Sequence, residues 1–322
     1  MTARRRFRGI YPVLYAFFDR AGRLDHGAMR AQVAHCLAAG AHGIMVLGLV
    51  TEVHRMSTAE RQEVVEVVGA AIAGRVPYAV TVAEQAPAAQ IGFAQMAAGA
   101  GADWVILQPP PGKGHTEADL QRHFGTIADG LAADGLALPL AIQNNPVNLD
   151  SALSPEGLIA LVRGHGNIAL LKAEGWSVDI ARVLEALGGS VDAFGGHGGL
   201  ELLSLIRSGG VGLIPAPDCL AAQVAIFDGL TSGDAAAVRL AQQLHKELLP
   251  LIVFMTRGIP GILCYGKRVM ARRMGLRQVF DRAPAEAPTG FGLAEMERLY
   301  AEVTEAEATL LPRLQARLAA MR

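Results

Sequence analysis

Eight short apolar runs, each followed by a longer amphipathic stretch rich in alanine and leucine, constrain this chain more than any other feature. They begin 20 to 36 residues apart, which is the usual length of one strand-plus-helix unit. Most are apolar on both faces, as the strands of a parallel sheet covered by helices must be. The runs are IYPVLYAF (10–17), HGIMVLG (42–48), VPYAVTV (76–82), DWVILQP (103–109), PLAIQN (139–144), IALLKAE (168–174), SVDAFGG (190–196) and GVGLIPA (210–216).

Eight successive units favour a closed barrel over an open doubly wound sheet. The open sheet is the runner-up, but neither half of the chain carries its G-x-G-x-x-G phosphate loop. After residue 216 the alternation stops and the pattern predicts helices, at roughly 217–230, 234–255, 258–275 and 292–320, with a loop at 282–290. We therefore predict an α/β fold, namely a (β/α)8 TIM barrel (residues 1–231) with a C-terminal helical extension (residues 232–322).

Charge and composition exclude several classes of function. The 322 residues carry 29 basic and 30 acidic side chains, so we expect no nucleic-acid partner. No run reaches about 18 consecutive apolar residues, so no membrane span is expected. Four arginines between positions 4 and 8 lack the apolar region and cleavage site of a signal peptide, and predict a solvated tail. Three cysteines without metal-ligand spacing indicate reduced thiols in a cytoplasmic protein.

The catalytic chemistry of such a barrel lies at the C-terminal ends of its strands. Lys172 is the most informative polar residue there, because it follows four apolar residues in a strand expected to be buried. A buried lysine is costly unless it is paired or functional, and desolvation favours the neutral amine, which can attack a ketone to form an imine. The alternative is a lysine that reaches solvent or pairs with Glu174. The other polar residues at or beyond strand ends are Glu52, Glu84, Gln108, Gln143, Asn144, Glu174, His197 and Asp218.

Several motifs, in order and spacing, resemble the dihydrodipicolinate synthase / N-acetylneuraminate lyase family of Schiff-base barrels over roughly residues 7–275. They are RGIYPVLYAFFDRAGRLD (8–25), GLVTEVHRMSTAERQEV (48–64), GADWVILQPP (101–110), AIQNNP (141–146), IALLKAE (168–174), AFGG (193–196) and IPGILCYGKRVMARRMG (259–275). The resemblance implies a lyase that acts on a 2-oxo acid, with Lys172 as the imine lysine. It implies no metal or other cofactor, because the imine itself is the electron sink. It also implies a cytoplasmic homotetramer or homodimer with a small-molecule substrate.

The chain departs from the family where polar groups direct the reaction. Leu49 and Val50 stand in place of the two hydroxyl residues that bind the substrate carboxylate, and Thr51 is left to supply a hydroxyl one position later. Gln143 stands in place of the proton-transferring tyrosine, and it cannot titrate. Asn148 stands in place of the synthases' arginine, and the tyrosine after strand four falls near the prolines at 110 and 111. These departures argue against 4-hydroxy-tetrahydrodipicolinate synthase activity.

The strand-five and strand-six motifs resemble instead the 2-keto-3-deoxy-L-arabonate dehydratases of the same family. Ile142-Gln143-Asn144-Asn145-Pro146 matches their strand-five pattern except that Asn144 replaces an aspartate, and the glycine-rich stretch around His197 also differs. Period two along a strand puts Lys172 and Glu174 on one face. Glu174 is therefore the first candidate for the proton shuttle, with a simple ion pair as the equal alternative. Catalytic candidates are Lys172, Glu174 and Gln143, and substrate-binding candidates are Gly48, Leu49, Val50, Thr51, Asn144, Gly196, His197 and Ile214.

Three functions remain open at the level of sequence. The first is a Schiff-base dehydratase of a 2-keto-3-deoxy sugar acid. The second is a pyruvate-releasing aldolase, in which Glu174, His197 or a water replaces the missing tyrosine. The third is a barrel that keeps the lysine without turnover and serves as a binding or regulatory protein. Two other acidic residues are expected to lie outside the reaction. We expect Glu52 to brace its loop by accepting backbone hydrogen bonds, and Glu84 to be a solvated loop residue.

Overall fold

The computed structural model describes residues 7–321, and of the four arginines in the predicted basic tail, Arg4, Arg5 and Arg6 lie outside them. The strands are β1 (Gly9–Ile10), β2 (Ile44–Val46), β3 (Tyr78–Val82), β4 (Trp104–Leu107), β5 (Leu140–Asn144), β6 (Ile168–Ala173), β7 (Asp192–Gly195) and β8 (Gly212–Leu213). The helices of the barrel are α1 (His26–Ala38), α2 (Thr58–Ile72), α3 (Pro87–Gly99), α4 (Glu117–Ala133), α5 (Pro155–Gly164), α6 (Ser177–Leu187), α7 (Leu202–Arg207) and α8 (Leu220–Thr231). The later helices are α9 (Ala235–Met255), α10 (Ile259–Gly261), α11 (Lys267–Arg273) and α12 (Gly290–Ala319).

All eight strands are parallel, in the order β1-β8-β7-β6-β5-β4-β3-β2. The segment after β1 closes the ring against β2 through a parallel bridge between Val13 and Met45. There the Met45 carbonyl accepts from the Leu14 N–H at 2.9 Å, and the Met45 N–H donates to the Pro12 carbonyl at 2.9 Å. The predicted α/β class and (β/α)8 TIM barrel are therefore confirmed.

Three aromatic side chains from widely separated strands fill the barrel interior. The rings of Trp104 and Phe194 are stacked at 5.6 Å, and Tyr11 packs edge-on against them at 5.7 Å and 5.2 Å respectively. Glycines make room for this cluster, because a Cβ at Gly43 would lie 2.0 Å from the Tyr11 ring. Among the described residues the interior is thus a packed core, and the cleft that lies next to it opens toward the loops at the barrel mouth.

The four helices predicted after residue 216 are all present, with one irregularity. Between α10 and α11 the chain makes a π-helical turn at Ile262–Gly266, a feature that occurs often at functional sites. Helix α12 packs along α8 and α9, and Arg273 donates two hydrogen bonds of 3.0 Å to the Glu307 carboxylate. The division between a barrel ending at residue 231 and an extension beginning at 232 stays a prediction.

Among the described helices, no single one is both long enough and apolar enough to cross a bilayer. Only α9 together with the Ile259–Arg273 segment meets that test as a pair, and the pair is bent by 106°.

Candidate active site

Strand β6 places Lys172 and Glu174 side by side at the mouth of the barrel. The Lys172 Nζ lies 3.2 Å from Glu174 Oε2, and the two side chains are only 4% and 7% exposed. Glu174 follows the last residue of β6, and its N–H donates to the Asn144 carbonyl at 2.8 Å, which continues the ladder with β5. The predicted juxtaposition of the two side chains is present.

Two amide side chains fix the Glu174 carboxylate. Gln143 Nε2 donates to Glu174 Oε2 at 2.7 Å, and Asn145 Nδ2 donates to the same oxygen at 3.1 Å. Gln108 Nε2 donates to Gln143 Oε1 at 2.9 Å, so the Gln143 amide must direct its nitrogen toward Glu174. Gln143 therefore orients the carboxylate, and its inability to titrate suits that role. Gln108, the residue after β4, supports the Gln143 amide through this hydrogen bond.

Gly196 leaves the space that Glu174 occupies. A Cβ at this position would lie 2.2 Å from Glu174 Oε1 and 2.5 Å from its Cγ. Real contacts are never that short, so any larger residue would displace the carboxylate. The candidate residue Gly196 thus acts on the site through the Glu174 side chain.

The turn after β2 presents apolar side chains to the site. Leu49 and Val50 line the cleft, whereas the Thr51 hydroxyl faces away and donates to the Leu14 carbonyl at 2.6 Å. Thr51 is fully buried there, so it does not supply the hydroxyl that the sequence suggested. Gly48 precedes this turn, and a Cβ on it would lie 2.7 Å from Val13 Cγ1, so its role is close packing.

Glu52 ends the same turn in a left-handed conformation, with φ of 61°. It forms a buried ion pair with Lys267, and its Oε2 accepts from Arg55 at 3.1 Å. The expected structural role is present, but two cations, rather than backbone N–H groups, are its partners. This pair ties the turn to helix α11.

Asn145, rather than Asn144, reaches the site from the end of β5. The Asn144 side chain binds the backbone of Leu153, accepting at 2.8 Å and donating at 3.0 Å, and so holds the following loop. Asn144 is absent from the cleft wall, which corrects its assignment as a substrate-binding residue. The strand ends at Asn144, so the alternation of faces no longer applies to the next residue.

His197 and Asn148 form a polar pair on the wall of the cleft. His197 Nε2 lies 3.1 Å from Asn148 Nδ2 and 3.3 Å from Asn145 Oδ1. His197 has a positive φ of 49°, an uncommon conformation outside glycine that turns the chain sharply after β7. This candidate is thus close to the residues that hold Glu174.

One cleft of about 650 Å³, part of which is open to solvent, is lined by Leu49, Val50, Asn145, Asn148, Lys172, Glu174 and His197. Its polar side holds Lys172 and Glu174, and Ile214, which follows β8, lies on its wall. Apolar side chains of the C-terminal helices cover the cleft, and no local sequence pattern predicts them. The additional lining residues are Val13, Gly198, Pro215, Ala216, Asp218, Cys219, Gln223, Ile252, Met255, Thr256, Ile259 and Ile262.

Two other acidic candidates have different surroundings. Glu84 is buried rather than solvated, and its carboxylate pairs with Arg61 at 3.1 Å outside the cleft. Asp218 lies on the cleft wall, and burial raises its pKa to about 7. Among residues 7–321, no group of three or more histidine, cysteine or acidic side chains is arranged to hold a metal ion.

A closed barrel whose sixth strand presents a buried lysine and a glutamate to a mouth cleft is the architecture of the Schiff-base lyases. The family model described as the dihydrodipicolinate synthetase family matches residues 6–286. The chain belongs to that family, and like its members it is a lyase.

The relatives and neighbours include both synthases and an aldolase. A 4-hydroxy-tetrahydrodipicolinate synthase of Methanopyrus kandleri is 28% identical over 249 residues, which cover 76% of this chain and 79% of that protein. The 4-hydroxy-tetrahydrodipicolinate synthase structure from Methylacidiphilum fumariolicum SolV superimposes with a TM-score of 0.85 at 21% identity, over 96% of this chain and 99% of that one. The sialic acid aldolase of Ruminococcus gnavus superimposes with a TM-score of 0.82 at 18% identity, over 94% and 99%. At these identities the structural matches concern the fold.

Proposed function

We propose that Lys172 forms an imine with the C2 carbonyl of a 2-oxo acid, and that the chain dehydrates a 2-keto-3-deoxy sugar acid. The observation that carries this proposal is the position of Glu174 Oε2, which lies 3.2 Å from the lysine nitrogen and is held by Gln143 and Asn145. A carboxylate fixed beside the imine nitrogen is also close to the C3 position of the bound substrate. It can therefore move protons between the nitrogen, C3 and water.

The reaction follows from the electron demand of the imine. Condensation of the Lys172 amine with the C2 ketone releases water and gives an iminium ion. Glu174 then removes a proton from C3, and the electron pair of that C–H bond forms an enamine. The enamine electrons make the C3–C4 double bond as the C4–O bond breaks, and the hydroxyl leaves with a proton as water. Hydrolysis of the new iminium returns the free lysine and an unsaturated 2-oxo acid.

Binding groups for such a substrate are available around Lys172. The turn that begins at Leu49 lies beside the cleft, and the first N–H groups of a helical turn have no partner within it. We propose that the N–H groups of Leu49 and Val50 bind the substrate carboxylate. Asn148 and His197 also line the cleft and can bind substrate hydroxyls.

The absence of the usual proton-transfer groups supports dehydration over synthase activity. Gln143 occupies the tyrosine position and holds Glu174, so no titratable group stands there. Asn148 occupies the position of the synthases' arginine and cannot neutralise a second substrate carboxylate. Elimination, by contrast, needs a base at C3, which Glu174 provides.

A pyruvate-releasing aldolase is the second candidate, and the position of His197 favours it. Retro-aldol cleavage needs a base on the C4 hydroxyl, and the His197 ring lies on the cleft wall, 3.1 Å from Asn148 Nδ2. An imidazole in that place can take the hydroxyl proton.

Borohydride trapping with pyruvate tests the imine. We expect a reduced pyruvate adduct on Lys172 in the wild type and none in Lys172→Met, while Lys246→Met, at an exposed position on α9, should retain it. Glu174→Gln should still trap pyruvate but lose turnover. The absence of an adduct on the folded wild-type protein would refute imine chemistry and favour a barrel with a binding or regulatory role.

Product analysis with 2-keto-3-deoxy-L-arabonate separates the two lyase activities. A keto acid lighter by one water supports the dehydratase. Pyruvate and glycolaldehyde would instead establish the aldolase, and His197→Asn should then abolish that cleavage while retaining the pyruvate adduct.

Assembly and location belong to the same proposal. We propose a cytoplasmic homotetramer or homodimer. Val147, Trp176 and Val178 support assembly because their apolar side chains are 71%, 65% and 56% exposed. Light scattering after size-exclusion chromatography measures the state directly, and a monomer at micromolar concentration would contradict it.

A further inference from the structure

Asp218 lies in the same cleft as Lys172 and Glu174 but is not explained by the chemistry described so far. It follows β8 and belongs to the short turn Pro217–Cys219 that leads into α8, whereas the other two residues come from β6. The residue is 6% exposed, and its Oδ1 accepts no hydrogen bond of regular geometry from the described residues, although the Tyr15 hydroxyl is a neighbour of the carboxyl group. A buried carboxyl oxygen without a donor is unfavourable, and such groups in native proteins often serve catalysis.

The surroundings of Asp218 favour its protonated form. Burial is the largest influence and raises the pKa of the carboxyl to about 7, while the Tyr15 hydroxyl and the Arg273 guanidinium oppose the rise. Arg273 is engaged by Glu307, so its charge is largely balanced. The other titratable groups nearby are the thiols of Cys36 and Cys219, whose own pKa values are raised by burial. A substantial fraction of Asp218 is therefore protonated near neutral pH.

A protonated Asp218 can supply the proton that the departing hydroxyl group needs in the proposed dehydration. Glu174 removes the C3 proton and is then protonated, but a poor leaving group such as hydroxide needs a proton as the C4–O bond breaks. Two carboxyl groups with different proton affinities can divide these roles, one as base and the other as acid.

We propose that Asp218 is the catalytic acid that protonates the departing C4 hydroxyl of the substrate. The inference rests on the proposed dehydratase function. The C4–O bond breaks with its electron pair on oxygen, the Asp218 proton completes a water molecule, and the enamine electrons form the C3–C4 double bond. Asp218 is left ionised and Glu174 protonated, and both return to their starting states by exchange with water.

Gln223 provides a hydrogen-bond acceptor in the same cleft as Asp218. Its Nε2 donates to the Gly198 carbonyl at 2.8 Å, while its Oε1 is buried and accepts nothing from the described residues. Gln223 also lines the cleft. The C4 hydroxyl of the substrate can donate its hydrogen to Gln223 Oε1 while the hydroxyl oxygen accepts the proton of Asp218. The same wall of the cleft therefore offers the leaving group both an acceptor and a proton donor.

The experiment compares the Asp218→Asn and Glu174→Gln variants with Asp192→Asn. Asp192→Asn is the matched control, because Asp192 is a buried aspartate at the start of β7, at the other end of the barrel. Three measurements are made on each: borohydride trapping of pyruvate, exchange of pyruvate C3 protons with D2O by NMR, and dehydration of 2-keto-3-deoxy-L-arabonate. We expect Asp218→Asn to retain trapping and exchange but to lose dehydration by about 100-fold or more. Glu174→Gln should lose exchange as well, and Asp192→Asn should retain all three.

The pH profile gives an independent readout. The acid role predicts that wild-type kcat falls as pH rises above about 7, and that this alkaline limb is missing from the residual activity of Asp218→Asn. An Asp218→Asn enzyme with wild-type dehydration and an unchanged profile overturns the inference. A wild type that traps and exchanges pyruvate but never dehydrates the sugar acid refutes the proposed function instead, so the two failures are distinct.

Discussion

Removing only one charge of the buried ion pair between Glu52 and Lys267 should destabilise the fold, and Lys267→Met tests this. The two side chains are 2% and 1% exposed, and Lys267 begins α11 while Glu52 ends the turn that carries Leu49 and Val50 into the cleft. Methionine preserves most of the volume of the lysine but leaves the carboxylate without its main partner.

Removing one member of a buried ion pair costs about 3–5 kcal/mol, because the remaining charge stays desolvated. Here Arg55 keeps its contact of 3.1 Å with Glu52, and its side chain is 30% exposed. The lower end of the range therefore applies, about 3 kcal/mol, or roughly a 150-fold change in the folding equilibrium. The double variant Glu52→Gln/Lys267→Met removes both charges, so most of the loss should be recovered.

Urea unfolding followed by circular dichroism measures these changes. Lys246→Met is the matched control, because it removes an exposed lysine and should alter the free energy of unfolding by less than about 0.5 kcal/mol. A loss below about 1 kcal/mol in Lys267→Met, or a double variant no more stable than the single one, would show that desolvation of Glu52 does not dominate.

Two further predictions concern the cleft itself. Gly196→Ala should lower turnover sharply while the protein stays folded, because the new Cβ would lie 2.2 Å from Glu174 Oε1. Gly175→Ala is the control, since its Cβ would lie 3.7 Å from the nearest side-chain atom, and it should be active in the same product assay. The pKa of Asp218 is raised from its ordinary value of 3.8 to about 7 in the folded protein. Between pH 3.8 and about 7 the folded state therefore binds a proton that the unfolded state has lost. The free energy of unfolding should fall by up to about 4 kcal/mol as the pH rises over that range. Asp218→Asn should flatten that dependence in urea titrations at pH 5 and 8, and an unchanged slope would contradict the shift.

The sequence by itself was sufficient for the fold and for the central pair of the site. Apolar runs recurring at strand-plus-helix intervals determined the barrel, because a parallel strand buried on both faces must be apolar throughout. Period two along β6 placed Lys172 beside Glu174, since within a regular strand the face of each side chain is fixed by its position.

The tertiary structure alone decided what surrounds that pair. Asn145, rather than Asn144, reaches the cleft, and the Thr51 hydroxyl donates to the Leu14 carbonyl instead of facing the cleft. Asn145 and Thr51 both lie beyond the end of a strand, where no periodicity fixes the direction of a side chain. Asp218 and Gln223 share a wall with Lys172 only because the closed barrel brings β6 and β8 to one mouth. The helices after the barrel cover that mouth through contacts between segments far apart in the chain, which local sequence patterns do not encode.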